Sequence, residues 1–279
     1  MAIVVQTNMA SLEAQKNLNK TQMALGKSFN RLSSGFRVNT AADDAAGLAI
    51  SESMKAQIRS YTVAERNAND AISMTQTAEG ALGEMSSIIG RMRELAMQGS
   101  NGAMTATDRG YLSTEFTALQ QEMSRIQQSA KFNNKQLLQA TATNITFQVG
   151  LDNTGSDQIT LTFGGLGLDA LLSTGASGTS VSGATTSASL AALGTIDAAL
   201  TTINTARARF GSAMNRLEVT TSSIQTMRNN LTAANSRIVD VDVAEETSTM
   251  SKNQILSQAG SSVLAQANQL SQLAMNLLK

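Results

Sequence analysis

The chain has 279 residues, of which 42% are apolar and only 3% aromatic; Trp, Pro, Cys and His are absent, and 21 basic residues balance 21 acidic ones. Without Cys or His there are no disulfides, thiolate or imidazole metal sites, thiol nucleophiles or histidine-based triads, and no cofactor is expected. The zero net charge supplies no drive towards nucleic acid or an anionic membrane surface, and does little to oppose self-association.

The absence of proline favours long uninterrupted helices. The apolar content is Ala, Leu, Ile, Val and 14 Met, side chains that suit helix–helix seams. No run of about 20 apolar residues reads as a membrane span. The opening Met-Ala-Ile-Val-Val-Gln-Thr-Asn lacks the basic region and apolar stretch of a cleavable secretory signal.

A first helix is predicted over about 11–32, with Leu18, Leu25 and Leu32 recurring every seven residues and Phe29 beside them. Ser33-Ser34-Gly35 ends it. Asp43-Asp44 stands where a carboxylate caps a helix start, a reading preferred to a metal or acid–base pair because no further ligand type lies nearby. A second helix should run to about Gly99, with a seam of Leu82, Met85, Ile89, Met92 and Ala96. Ser100-Asn101-Gly102 reads as a turn, and Thr107 or Asp108 as the cap of a third helix. That helix carries Leu112, Phe116, Leu119, Met123 and Ile126, and ends near Phe132-Asn133-Asn134.

The period then changes to two. Ile145, Phe147 and Val149 alternate with polar residues, as do Ile159, Leu161 and Phe163, and the intervening Asp152–Asp157 stretch makes the pair a β-hairpin. Ser173–Ser189, rich in Ser, Thr, Gly and Ala, reads as an exposed link that O-linked sugars could modify. A long helix from about Ala191 carries a seam from Leu193 to Ile238, interrupted by Arg207, Thr221, Arg228 and Asn235, polar residues that can fix register. At 1.5 Å per residue it would be roughly 70 Å long. The last segment carries Leu256, Gly260, Val263, Ala267, Leu270, Ala274 and Leu277 at alternating spacings of four and three. Weakly amphipathic helices at both ends are expected to pair with each other or with other copies. The fold class is therefore mainly α: long antiparallel coiled-coil-like helices from both termini forming an elongated rod, with one small β-hairpin in the middle of the chain.

Three stretches make the reading specific. LSSGFRVNTAADDAAGLAI (32–50) and NANDAISMTQTAEGAL (67–82) resemble the amino-terminal signatures of bacterial flagellins, and ANSRIVDVDVAEE (234–246) resembles the signature leading into their last helix. The resemblance covers about 1–140 and 190–279. It implies a short flagellin without large outer domains, a non-enzymatic subunit of the extracellular flagellar filament used for motility, exported unfolded through the flagellar secretion channel. Residues 1–33 and 237–279 would form the inner coiled coil, 34–46 the spoke, 47–140 and 190–236 the rod domain, and 141–189 the hairpin and low-complexity tip. Leu18, Leu25, Leu32, Leu256, Val263, Leu270 and Leu277 would pack subunits together. Arg91, Leu95 and Glu115 match the patch read by the Toll-like receptor for flagellin, although Arg91 and Arg93 could also pair with Glu94 or meet an anion. The resemblance further implies a homopolymer whose partners are a hook–filament junction protein, a filament cap and an export chaperone. The alternative within the same family is a junction adaptor of low copy number. Where the family often has a proline after Gln-Ala-Asn-Gln, this chain has Leu270-Ser271.

Overall fold

The computed structural model describes residues 7–172, 179–181 and 186–276, with side chains described as far as 269. Among them are six α-helices: α1 (Met9–Ser34), α2 (Ala45–Gly99), α3 (Ala106–Ser129), α4 (Asp169–Leu172), α5 (Ser187–Val239) and α6 (Val243–Asn276). Four short strands, β1 (Lys131–Phe132), β2 (Lys135–Gln136), β3 (Thr143–Gln148) and β4 (Gln158–Phe163), lie between α3 and α4. The chain divides into two compact units, 1–58 with 229–279, and 59–228.

Local chemistry sets the helix ends. The Asn8 side chain accepts a hydrogen bond from the Ser11 N–H at 3.0 Å, which starts α1. Gly35, at φ 75°, stops it: its N–H donates to the Arg31 carbonyl at 2.8 Å, in a left-handed conformation that favours glycine. Asp44 starts α2 by accepting from the Gly47 N–H at 2.9 Å. A Cβ at Gly47 would overlap that carboxylate, so the cap and the glycine belong together. Of the two acidic residues, Asp44 is thus the cap. The Asp43 carboxylate instead accepts from the Thr40 N–H at 3.1 Å and pairs with Lys27 at 2.7 Å.

The cap of α3 is Thr105, not Thr107 or Asp108. Thr105 accepts from the Asp108 N–H while Asp108 accepts from the Thr105 N–H, a reciprocal box that places the acidic residue third in the helix. Arg109, almost wholly buried, donates to the carbonyls of Gly99 at 3.0 Å and Asn101 at 3.2 Å. A cation there suits the negative end of α2.

The unit formed by 59–228 holds one continuous core. Leu82, Met85, Ile89 and Met92 of α2 meet Ile196, Ile203, Phe210 and Leu217 of α5, with Phe116 and Met123 of α3 against them. The ion pairs Arg93–Asp197, Arg207–Glu79 and Arg228–Glu65 run in opposite chain directions, so α2 and α5 are antiparallel here. The polar interruptions Arg207 and Arg228 thus sit beside carboxylates of α2, in a position to specify register.

β3 and β4 pair antiparallel with Ile145 opposite Leu161 and Phe147 opposite Ile159, as the alternation predicts. Phe163 at the end of β4 packs on Phe210 of α5, ring centroids 5.3 Å apart. The sequence pattern gave no warning of β1 and β2. They are joined by Asn133 and Asn134, both at positive φ, a two-residue turn of the kind that tightens hairpins. The supposed link also differs from expectation. Residues 173–178 and 182–185 lie outside the described residues, but Val181 is buried, and the Thr179 carbonyl accepts from the buried Gln120 side chain at 2.9 Å. Helix α5 begins four residues earlier than expected, at Ser187, because Ser189 packs over Gly99 and donates to the Val181 carbonyl.

Candidate assembly and recognition surfaces

The terminal helices α1 and α6 pair antiparallel. At one end Asn8 donates to the Ala267 carbonyl and Ser11 to Asn268, both at 2.8 Å, and at the other Arg31 pairs with Glu246 at 3.4 Å, so the start of α1 meets the late part of α6 and its end meets the start of α6. Midway, a Cβ at Gly260 would stand 3.4 Å from the Leu18 side chain, an ordinary contact that brings the two backbones close. The segments flanking this pair are clasped as well. Val241 N–H donates to the Gly35 carbonyl at 3.0 Å, Arg37 N–H to the Val239 carbonyl at 2.6 Å, and Phe36 and Asp240 form a bridge. Lys27 holds the Asp43 carboxyl well below the usual carboxylate range, helped by the Thr40 N–H.

Leu18, Leu25 and Leu32 are half-buried on the face of α1 turned to α6. On α6 the residues withdrawn from solvent are Glu246, Thr247, Met250, Asn253, Ser257, Gly260, Leu264 and Ala267, spaced alternately by three and four from Met250 onward. Of the apolar stripe read from the sequence, Gly260 and Ala267 face inward, while Leu256 (46% exposed) and Val263 (55% exposed) face out beside Ile255. The Leu270 side chain and all of Leu277 lie outside the described residues. Helix α1 likewise leaves Leu12, Met23 and Phe29 more than half exposed. Each helix thus has two apolar faces, one used within the chain and one not.

The second surface lies on α2 and α3. Arg91 donates to Glu115 at 2.9 Å and to Glu94 at 2.8 Å, and remains half exposed. These carboxylates, Glu115 first, raise its pKa further. Arg93 is paired too, with Asp197 at 2.7 Å. The third member of the predicted patch is not on the surface: Leu95 is 1% exposed and belongs to the core, because it follows Met92 by one helical turn and points into the same packing layer. Of the three, Arg91 and Glu115 are the exposed members.

Two family models match. The bacterial flagellin N-terminal helical region fits residues 5–143, and the bacterial flagellin C-terminal helical region fits residues 193–278. A flagellin of Halalkalibacterium halodurans is 39% identical over 277 residues, covering 99% of this chain and 100% of the relative. The chain belongs to the flagellin family. A flagellin of Bacillus subtilis is 40% identical over 99% of both chains, and the flagellar filament 33 kDa core protein of Treponema phagedenis is 38% identical over 99% of this chain and 100% of its own. Among solved structures, Bacillus cereus flagellin is 32% identical with a TM-score of 0.50, covering 61% of this chain and 94% of its own. A Vibrio parahaemolyticus structure described as a flagellar hook-associated protein shares the fold at 12% identity and a TM-score of 0.59, over 71% of this chain and 100% of its own. Flagellins are structural subunits rather than enzymes, and they polymerise into the helical filament of the extracellular bacterial flagellum that serves motility. The match at both ends of the chain covers the α1–α6 pair, the element that carries the unused apolar faces.

Proposed function

We propose that the outward faces of α1 and α6 are where one flagellin subunit binds the next. The observation that carries this is the exposure of large apolar side chains on both helices: Leu12, Met23 and Phe29 on α1, Ile255, Leu256 and Val263 on α6. Large apolar side chains left in water on an element already paired within the chain gain free energy only when another molecule covers them. A patch that meets a different patch on the next copy repeats into an open helical array.

In this reading the pair forms the inner coiled coil, the clasped 34–46 segment is the spoke, 47–140 with 190–236 is the rod domain, and the hairpin region sits at its tip. The chain is exported unfolded through the flagellar secretion channel with a chaperone, and is added beneath a filament cap onto a hook–filament junction protein. Arg91 and Glu115 are the exposed groups open to a host Toll-like receptor, with Leu95 supporting them from below.

Deleting 253–279 tests the proposal. It removes most of α6 and leaves the core of 59–228 intact. The truncated chain should stay soluble and folded, and should form no filaments under conditions where the full chain does. Normal filaments from it would overturn the proposal. Electron microscopy of the full chain separates a filament subunit from a junction adaptor, which forms no long filaments.

A further inference from the structure

Asn101-Gly102 is the only Asn-Gly pair in the chain, and it lies in the exposed turn between α2 and α3. Two features prepare it for chemistry. The Ala103 N–H donates to the Asn101 side-chain Oδ1 at 3.0 Å. That hydrogen bond polarises the carboxamide carbonyl and would stabilise the oxyanion formed by attack at Cγ. Meanwhile the Gly102 N–H donates to no described group, so the neighbouring backbone nitrogen is free to act as the nucleophile. Glycine offers no side chain to obstruct it: nothing lies within 4 Å of where a Cβ would stand.

We propose that Asn101 is a spontaneous deamidation site, a covalent ageing mark built into this turn. Gly102 N loses its proton to solvent base and bonds to the Asn101 Cγ. The Cγ–NH2 bond breaks, ammonia leaves, and a five-membered succinimide remains. Water then opens either ring carbonyl, giving aspartate or isoaspartate at position 101. The reaction is a hydrolysis and needs no oxidant or reductant. Its place matters because the Asn101 main-chain oxygen accepts from the buried Arg109 guanidinium at 3.2 Å. In the isoaspartate product that oxygen belongs to a free carboxylate facing the same cation, while the main chain runs through Cγ. The mark thus alters the junction on which Arg109 holds α2 to α3.

The chain contains its own control. Asn235-Ser236, together with Asn229 and Asn230, lies within α5, where the regular helix ties up the following amides, and the buried Asn235 Oδ1 has no hydrogen-bond partner. Purified full-length protein is incubated folded in mildly alkaline buffer, digested, and followed by peptide mass. The tryptic peptide spanning Glu94–Arg109 should gain the mass of an amide-to-acid conversion and become a substrate for isoaspartyl methylation, while the Asn229–Arg237 peptide should do neither. The rate for Glu94–Arg109 should rise with pH. Gly102→Ala, which fits the open space at that position, should sharply slow the mass gain without altering the helical spectrum. Equal conversion of the two peptides, no conversion of either, or undiminished conversion in Gly102→Ala would overturn the proposal.

Discussion

Replacing Leu95 and Leu256 separately by alanine tests whether fold and assembly use different leucines. Leu95 is 1% exposed inside the core formed by α2, α3 and α5. Removing a fully buried leucine loses its transfer free energy and leaves a cavity, together about 2–5 kcal/mol. Leu256 is 46% exposed, so roughly half of its burial is already realised in the isolated chain. With about 2 kcal/mol for burying a whole leucine side chain, about 1 kcal/mol remains to be gained when a second subunit covers it. Weakening the subunit interface by that amount raises the critical concentration for polymerisation about fivefold, since about 1.4 kcal/mol is a factor of ten. Urea unfolding of the monomer and sedimentation of the polymer measure the two quantities independently. Leu95→Ala should shift the unfolding midpoint strongly. Leu256→Ala should shift it less, at a cost of about 1 kcal/mol, and raise the critical concentration. Unchanged polymerisation in Leu256→Ala, or an unfolding cost equal to that of Leu95→Ala, would refute the division of labour.

Three further outcomes follow from the geometry. Thr105→Ala removes the reciprocal cap of α3 and should cost about 1 kcal/mol in urea unfolding, with earlier exchange of the amides of 106–108. Gly164→Ala should cost about 1–3 kcal/mol, because Gly164 sits at φ 71° and a Cβ would stand 2.6 Å from the carbonyl oxygens of Gln139 and Thr141. Asp43 is held below its ordinary carboxylate value by Lys27, so its ionised form stabilises the fold above the unfolded pKa, and that contribution is lost as pH falls through the folded value. Asp43→Asn should therefore flatten the acid limb of the stability curve, measured by thermal unfolding from neutral to acid pH; an unchanged acid limb would count against the Lys27 contact.

How legible each part was depended on how many forces agreed on it. In α5, every seam position from Leu193 to Ile238 is buried or half-buried, because a long helix with a single partner face imposes one strict period. The β3–β4 register was equally plain, since Ile145 and Phe147 can face one side only if Leu161 and Ile159 do. Helix α6 was ambiguous for a physical reason. It has two faces of similar hydropathy, and the bulkier one, Leu256 and Val263, carries the stronger pattern, while the chain itself packs through Ser257, Gly260, Leu264 and Ala267. Small residues permit close approach but carry little hydrophobic signal. Leu95 was misplaced at the surface because a match to a family patch says nothing about burial; its spacing of three from Met92 was the local clue. The start of α3 offers Thr105, Thr107 and Asp108 as caps, and the Thr-x-x-Asp box spacing singles out Thr105 over Thr107 or Asp108. Asn133-Asn134 carries no such signal of β1 and β2, because strands of two residues leave no alternation to read and asparagines end helices as readily as they turn hairpins. The burial of Val181 had no local signal, because a lone valine among Ser and Gly becomes core only once Gly99 and Ser189 lie beside it.

The most direct measurement is the structure of the assembled filament by cryo-electron microscopy, at a resolution that places side chains on the terminal helices. Leu12, Met23, Phe29, Ile255, Leu256 and Val263 should become buried against neighbouring subunits, while α1 and α6 keep the pairing of Asn8 with Ala267 and Arg31 with Glu246. A filament in which these six side chains remain in water, with subunits joined elsewhere, would contradict the proposed interface.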